Sequence, residues 1–153
     1  MTYTIEIIVE IPRDEFISKL NNVDNLKHWH QGLVSAEHIS GHPGDLGAKM
    51  KLNYDFGKRK MQLMETLTKI NLPSELHASY KTKGMNNLQE NYFERTSEGY
   101  TKWICKNQFI PLNLIMHLFT IFMPKAFKKQ TRKYMQDFKN FAENRISVAN
   151  AKT

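Results

Sequence analysis

The sequence predicts an α+β fold: a seven-stranded antiparallel sheet, two short helices and a long C-terminal helix. Three observations predict it. Residues 2–11 alternate apolar and polar side chains as a strand does, residues 33–109 repeat strand-like runs six more times between turn signals, and from Leu112 onward the apolar spacing becomes helical. The 153 residues, 41% hydrophobic and 24% charged, fit one domain, placed at residues 1–149 with a C-terminal tail at 150–153.

The first strand, "TYTIEIIVEI", sets Tyr3, Ile5, Ile7, Val9 and Ile11 on one face and Glu6 and Glu10 on the other, and Pro12 stops it. "PRDEFISKL" then places a proline and two acids in a first helical turn, with Phe16, Ile17 and Leu20 on one side. A second short helix, "VDNLKHWHQ", follows Asn21-Asn22. "LVSAEHI" ends in the loop "SGHPGDLG", and "AKMKLNYDF" alternates Met50, Leu52, Tyr54 and Phe56 with lysines and Asn53 before a tight turn at Gly57-Lys58. "KMQLMETLTKI" breaks at "NLPS", "ELHASYKT" at "KGMNN" and "LQENYFERT" at "SEGY", while "TKWICKNQF" runs into Pro111.

The rest is helical. Around the second half of this segment, Phe127, Tyr134, Phe138 and Phe141 cluster opposite Lys125, Lys128, Lys129, Arg132 and Lys133, an amphipathic pattern. The first half, Leu112 to Met123, differs: Leu114, Leu118 and Ile121 point away from the face of Leu112, Met116, Phe119 and Met123. Apolar residues all round predict burial on more than one side, and Pro124 predicts a kink or a break between the halves. The apolar run is not a membrane span, because Leu112 to Met123 covers ~18 Å as a helix against ~30 Å of hydrocarbon.

The formal charge of +7 is concentrated in this helix. Without the five bases of residues 125–133 the chain carries 17 bases against 15 acids. One patch therefore needs explaining, as the solvated back of the helix or as a contact with an anionic membrane. Nucleic acid is not expected, since the aromatics lie opposite the bases and could not stack beside phosphates those bases contact. The single Cys105 excludes an internal disulfide, and no charged-then-apolar signal segment opens the chain, so a reducing, cytoplasmic setting is expected.

"IPRDEFISKLNNVDNLKHWHQGLVSAEHISGHPGDLGAKM" resembles the opening of the SRPBCC superfamily: a proline after the first strand, a Trp late in the second helix, and a "G-x-x-G" loop before the third strand. "METLTKINLPSELHASY" and "YFERTSEGYTKW" resemble its later hairpins. That superfamily includes START lipid-transfer domains, the major birch-pollen allergen and polyketide cyclase-like proteins. The resemblance implies a helix-grip architecture, with a curved sheet wrapped around the long helix and an apolar cavity between them.

Under that resemblance, strand alternation nominates the wall of the cavity. Met50, Leu52, Tyr54, Met61, Leu63 and Leu67 would come from two strands, and Leu76, Ala78, Tyr80 and Phe93 from the next two. Trp103, Cys105 and Phe109 would come from the last strand, Met116, Phe119 and Met123 from the helix, and Trp29 would sit in the core or at the cavity edge. The same alternation turns Glu65, Asn91 and Asn107 inward, where they must bond one another, bind water or orient a ligand. Desolvation would raise the pKa of a buried Glu65, as an acid or base requires.

No metal site is expected. His28 and His30 would lie about 200° apart on a helix, with no nearby ligand set to complete a tetrahedron. There is no nucleophile elbow or phosphate loop, and no covalent cofactor is implied. The expected function is binding of a small apolar or amphipathic molecule. The alternative is a cyclase, dehydratase or isomerase with Glu65 as acid or base and Tyr80 or Asn107 polarising an oxygen. A third possibility uses Leu114, Leu118 and Ile121 as a homodimer or membrane contact.

Overall fold

The computed structural model describes residues 1–149; the predicted tail at 150–153 lies outside the described residues. Strand β1 (Thr2–Val9) leads through α1 (Arg13–Leu20), a 3-10 turn (Val23–Asn25) and α2 (Leu26–Trp29) into the meander β2 (Leu33–Ser40), β3 (Lys49–Asp55), β4 (Lys60–Asn71), β5 (Glu75–Thr82), β6 (Met85–Arg95) and β7 (Thr101–Pro111). Two helices follow, α3 (Leu114–Phe122) and α4 (Pro124–Asn144). Every pairing is antiparallel, in the order β1-β7-β6-β5-β4-β3-β2, so α1 and α2 carry the chain from one edge of the sheet to the other.

Several boundaries move for physical reasons. The expected single helix over residues 23–31 is a 3-10 turn, capped by Asn22, followed by one α turn, and His30 leaves it in extended conformation at φ −105°. The break after β5 is shorter than "KGMNN" suggested. Thr82 already pairs with Met85, so Lys83-Gly84 is the whole turn, with Gly84 at φ +111°, and both asparagines belong to β6. Strand β7 runs through Pro111, and Leu112 N–H donates to the carbonyl of Gly84 at 2.9 Å, so α3 starts at Leu114 with the Asn113 side chain accepting from Met116 N–H. At Pro124 the helix breaks: Met123 is non-helical (φ −128°, ψ 43°), and proline opens α4 where its missing N–H removes no helical bond.

Helix α4 buries Thr131, Met135, Phe138 and Ala142, steps of four, three and four that form one stripe. It packs chiefly on β1, α1 and α2. Between these layers Phe138 meets Phe16 at 4.9 Å, Trp29 at 5.2 Å and Trp103 at 5.5 Å, all edge-on, and Phe16 meets Phe93 at 5.2 Å. Ile5, Val9 and Cys105 complete this core, each buried apolar side chain contributing about 1.5–3 kcal/mol. Of the predicted helix face, Phe138 is in the stripe, whereas Phe127, Tyr134 and Phe141 flank it and are half-buried.

Burial on several sides of the segment before Pro124 is corrected. None of α3 is buried: Leu114 is 73% exposed, Ile115 67% and Phe122 76%.

Candidate functional site

Across the inner face of the sheet, register fixes two rows. One runs Met50, Glu65, Tyr80, Asn87, Phe109, and the next runs Leu67, Ala78, Gln89, Asn107, Tyr3. The face is filled unevenly. Toward β1, β6 and β7 it is closed by the aromatic core, so Phe93, Trp103 and Cys105 are packed side chains and not the open wall anticipated for them, and Trp29 takes the first of its two expected places, in the core. Toward β3, β4 and β5 the helices make few contacts, and Met50, Met61, Leu63 and Leu67 keep part of their surface accessible, with Leu52, Tyr54 and Ala78 buried among them, while Leu76 packs against the aromatic core. From the helical side Met116 is half-buried, but Phe119 and Met123 are 43% and 48% exposed and stand at solvent, not on an enclosed wall.

A chain of amides separates the two parts. Trp103 Nε1–H donates to Asn91 Oδ1 at 2.8 Å, Asn91 Nδ2 to Gln89 Oε1 at 3.2 Å, and Gln89 Nε2 to Asn107 Oδ1 at 3.2 Å. Asn87 Nδ2 reaches the same Asn107 oxygen at 3.0 Å, and Asn107 Nδ2 donates to Cys105 Sγ at 3.2 Å. Asn91 and Asn107 are thus bonded within the protein, as buried amides require. Asn87 and Gln89 are additions the sequence did not yield, because Asn86-Asn87 reads as a turn. Burial pushes the Cys105 thiol up to about 12, which removes it as a nucleophile near neutrality.

Glu65 and Tyr80 face each other across β4 and β5. Burial raises the Glu65 carboxyl above its ordinary range, partly offset by a hydrogen bond with Tyr80. Burial and then the Glu65 charge hold the Tyr80 hydroxyl well above the usual phenol range. Both are enclosed by protein yet keep some accessible surface, as side chains on the wall of an internal space do. Such a pair can present a proton donor and an acceptor to one bound oxygen.

His30 is a third residue the sequence did not yield. The helical reading of "HWH" sets His30 apart from any ligand set; being extended, it turns under Tyr134 (ring centres 4.9 Å) and bonds Tyr54 Oη through Nδ1 at 2.7 Å. Desolvation lowers its pKa to about 3, so it is neutral, and its buried Nε2 has no hydrogen-bond partner among the described residues. The readable signal was Gly32, at φ +85° in the turn that Leu33 N–H closes onto the His30 carbonyl at 3.2 Å. Among the described residues no three His, Cys, Asp or Glu side chains gather as a metal set.

Two open grooves, of about 400 and 410 Å³, run beside the start of β4 and share Lys60, Met61 and Gln62. The first is lined by Lys51, Arg59, Lys60, Lys81 and Lys83 around Leu63 and Met64; neither includes Glu65 or Tyr80.

No family profile and no curated relative matches the chain. Solved structures do. The aromatase/cyclase Zhui from Streptomyces sp. R1128 superposes with a TM-score of 0.78 at 10% identity, over 98% of each chain. An uncharacterized protein from Rhizobium leguminosarum gives 0.75 at 14% identity over 94% of each, and Ara h 8.0201 gives 0.72 at 12% over 93% of this chain and 97% of that one. The chain shares the helix-grip fold of these structures. The helix-grip topology leaves a sheet face that one helix covers in part, and here the inner face of β3–β5 is the part whose apolar side chains stay partly accessible.

Among the described residues no helix is long and apolar enough to cross a membrane.

Proposed function

We propose that this protein binds a small apolar or amphipathic molecule against the inner face of β3–β5, under the edge of α4. The carrying observation is the uneven filling of the sheet: inward apolar side chains of β3–β5 stay partly accessible while those of β1, β6 and β7 are closed by α1 and α4. Burying the remaining apolar surface supplies affinity, and Glu65, Tyr80 and the free Nε2 of His30 orient any oxygen on the guest. The likeness to helix-grip proteins supports the architecture of such a site. A carrier of this kind would meet its guest at an anionic membrane through Lys125, Lys128, Lys129, Arg132 and Lys133. Native mass spectrometry of protein taken from its own cells tests the reading: a retained small molecule, displaced by a neutral fluorescent naphthalene probe, is expected. Protein that carries nothing and ignores the probe would sink it.

A second reading is favoured by the Glu65–Tyr80 pair alone. In it the site polarises a carbonyl through Tyr80 while Glu65 moves a proton, the chemistry of a cyclisation or dehydration. Glu65→Gln separates the two, since a carrier keeps most of its affinity, which the apolar surface supplies, and an enzyme loses turnover.

A further inference from the structure

The turns joining β3 to β4 and β5 to β6, the end of β7, all of α3 and the start of α4 lie at one end of the molecule, where a Cβ on Gly84 would stand 2.5 Å from Asn113 Nδ2 and 3.2 Å from Met116 Cγ. Two features of this end lack an internal explanation. The first is α3 itself. Leu114, Ile115, Leu118, Phe119, Ile121 and Phe122 are all between 43% and 76% exposed, and no charged residue lies between Leu112 and Pro124. A contiguous patch of this kind is uncommon on a protein that remains alone in water.

The second is the placing of the cations. Lys125, Lys128, Lys129, Arg132 and Lys133 occupy the first half of α4, whose first turn contains no acid. Bases there oppose the helix dipole, and the pairs 125/129, 128/132 and 129/133 set like charges four residues apart, each unfavourable within the isolated protein. Among the described residues, Lys133 alone of the five has an acidic partner, Asp137. The hairpins add Lys58, Arg59, Lys60, Lys81 and Lys83, all exposed. Arg59 lies over the Phe56 ring, 5.6 Å from its centre, on the β3–β4 turn, so the hairpin cations stand at the same end as the start of α4. The α1 end, by contrast, holds Glu10, Asp14, Glu15, Glu94 and Glu98 among its bases.

We infer that this end docks on an anionic lipid bilayer, with α3 as a short wedge in the apolar layer beneath the headgroups and the two groups of cations as a collar on those headgroups. Nine residues of helix reach ~13.5 Å, enough to enter the interface but not to cross it. A second copy of the chain is a poorer occupant, because a two-fold contact through α3 would press one cationic collar against another. Docking also brings the bilayer to the side from which β7 and Met116 lead toward the inner face of the sheet. The inference rests on the carrier reading for its purpose, although the contact itself can be measured without a guest.

Flotation with phosphatidylcholine vesicles containing about 30% phosphatidylserine, at about 50 mM salt, is the test, and about 500 mM salt is the control. Binding is expected to be at least about tenfold stronger than to phosphatidylcholine alone, and to fall at least about tenfold in high salt. The exposed pair Ile115→Glu with Phe122→Glu should cut it about tenfold or more while leaving circular dichroism, thermal midpoint and uptake of the neutral naphthalene probe unchanged. In a Phe122→Trp variant, vesicle-dependent blue shift and quenching by brominated lipid chains report insertion; Trp29 and Trp103 are buried and supply a constant background. Absence of binding at low salt, binding indifferent to the α3 pair, or a blue shift that grows with protein concentration without vesicles would each overturn the inference. Probe uptake without vesicle binding would leave the carrier reading standing and remove this one.

Discussion

One half of the sheet is built for stability and the other is left open. Under β1, β6 and β7, Phe16, Phe93 and Phe138 have at most 1% of their surface exposed, and rings meet edge to face from three layers. Under β3, β4 and β5, Leu63, Leu67 and Glu65 face a helix that packs elsewhere. The same strands and alternation thus serve two purposes, and what separates them is whether a large aromatic ring from α1 or α4 arrives to fill the space. The amide chain from Trp103 to Asn87 runs along the divide, its donors held within the protein.

The sharpest way to break this contrast is a pair of truncations. Phe138→Ala is expected to cost about 3–5 kcal/mol by urea unfolding, because three ring contacts lose their partner at once, while Leu63→Ala should cost under about 1.5 kcal/mol since its site is already loose. Equal losses would mean both halves are equally packed. Next comes acid sensitivity. His30 has a folded pKa of about 3 against 6.5 when unfolded, so the unfolded chain binds the extra proton and stability falls as pH drops from 6.5 toward 3. His30→Gln should lose less stability over that range than the parent, by up to a few kcal/mol, in unfolding midpoints taken near pH 4 and pH 7.

Asn107→Ala should cost about 1–3 kcal/mol, since it strands the Asn87 and Gln89 amides; a double variant that also makes residue 87 apolar should recover part of the loss. The smallest effect is expected at Glu65. Its folded pKa is raised, so it weakens the fold as pH climbs from the unfolded carboxylate range through the folded value. Glu65→Gln should flatten that decline and leave the protein slightly more stable near neutrality, and an unchanged pH profile would place the carboxyl in water.

The sheet was legible because alternation survives even where a face is only half filled: Tyr3, Ile5, Val9, Leu52, Tyr54, Phe93 and Trp103 all turn inward as their spacing predicts. Glu65, Asn91 and Asn107 could be placed by the same count. What spacing could not reveal was volume. Phe93, Trp103 and Cys105 share a face with Leu63 and Leu67, and only the approach of Phe16 and Phe138 makes the first group core. Turn chemistry hid Asn87, since Asn-Asn after Gly84 reads as a loop, and a helical assumption hid His30. The apolar circumference of residues 112–123 predicts burial, and α3 is instead exposed, because spacing does not say which neighbours arrive to cover a face.

The placing of charge along the length of α4 has a last consequence. With cations in excess at one pole and the acids more numerous at the other, the molecule carries an electric moment, to which the positive N-terminal pole of α4 adds in the same direction. A negatively charged plane therefore exerts a torque before any contact forms, turning the protein α3 foremost and narrowing the search over orientations. At physiological ionic strength the torque acts only within the last ~8 Å of approach, so salt would govern how often an encounter is productive before it governs how long one lasts.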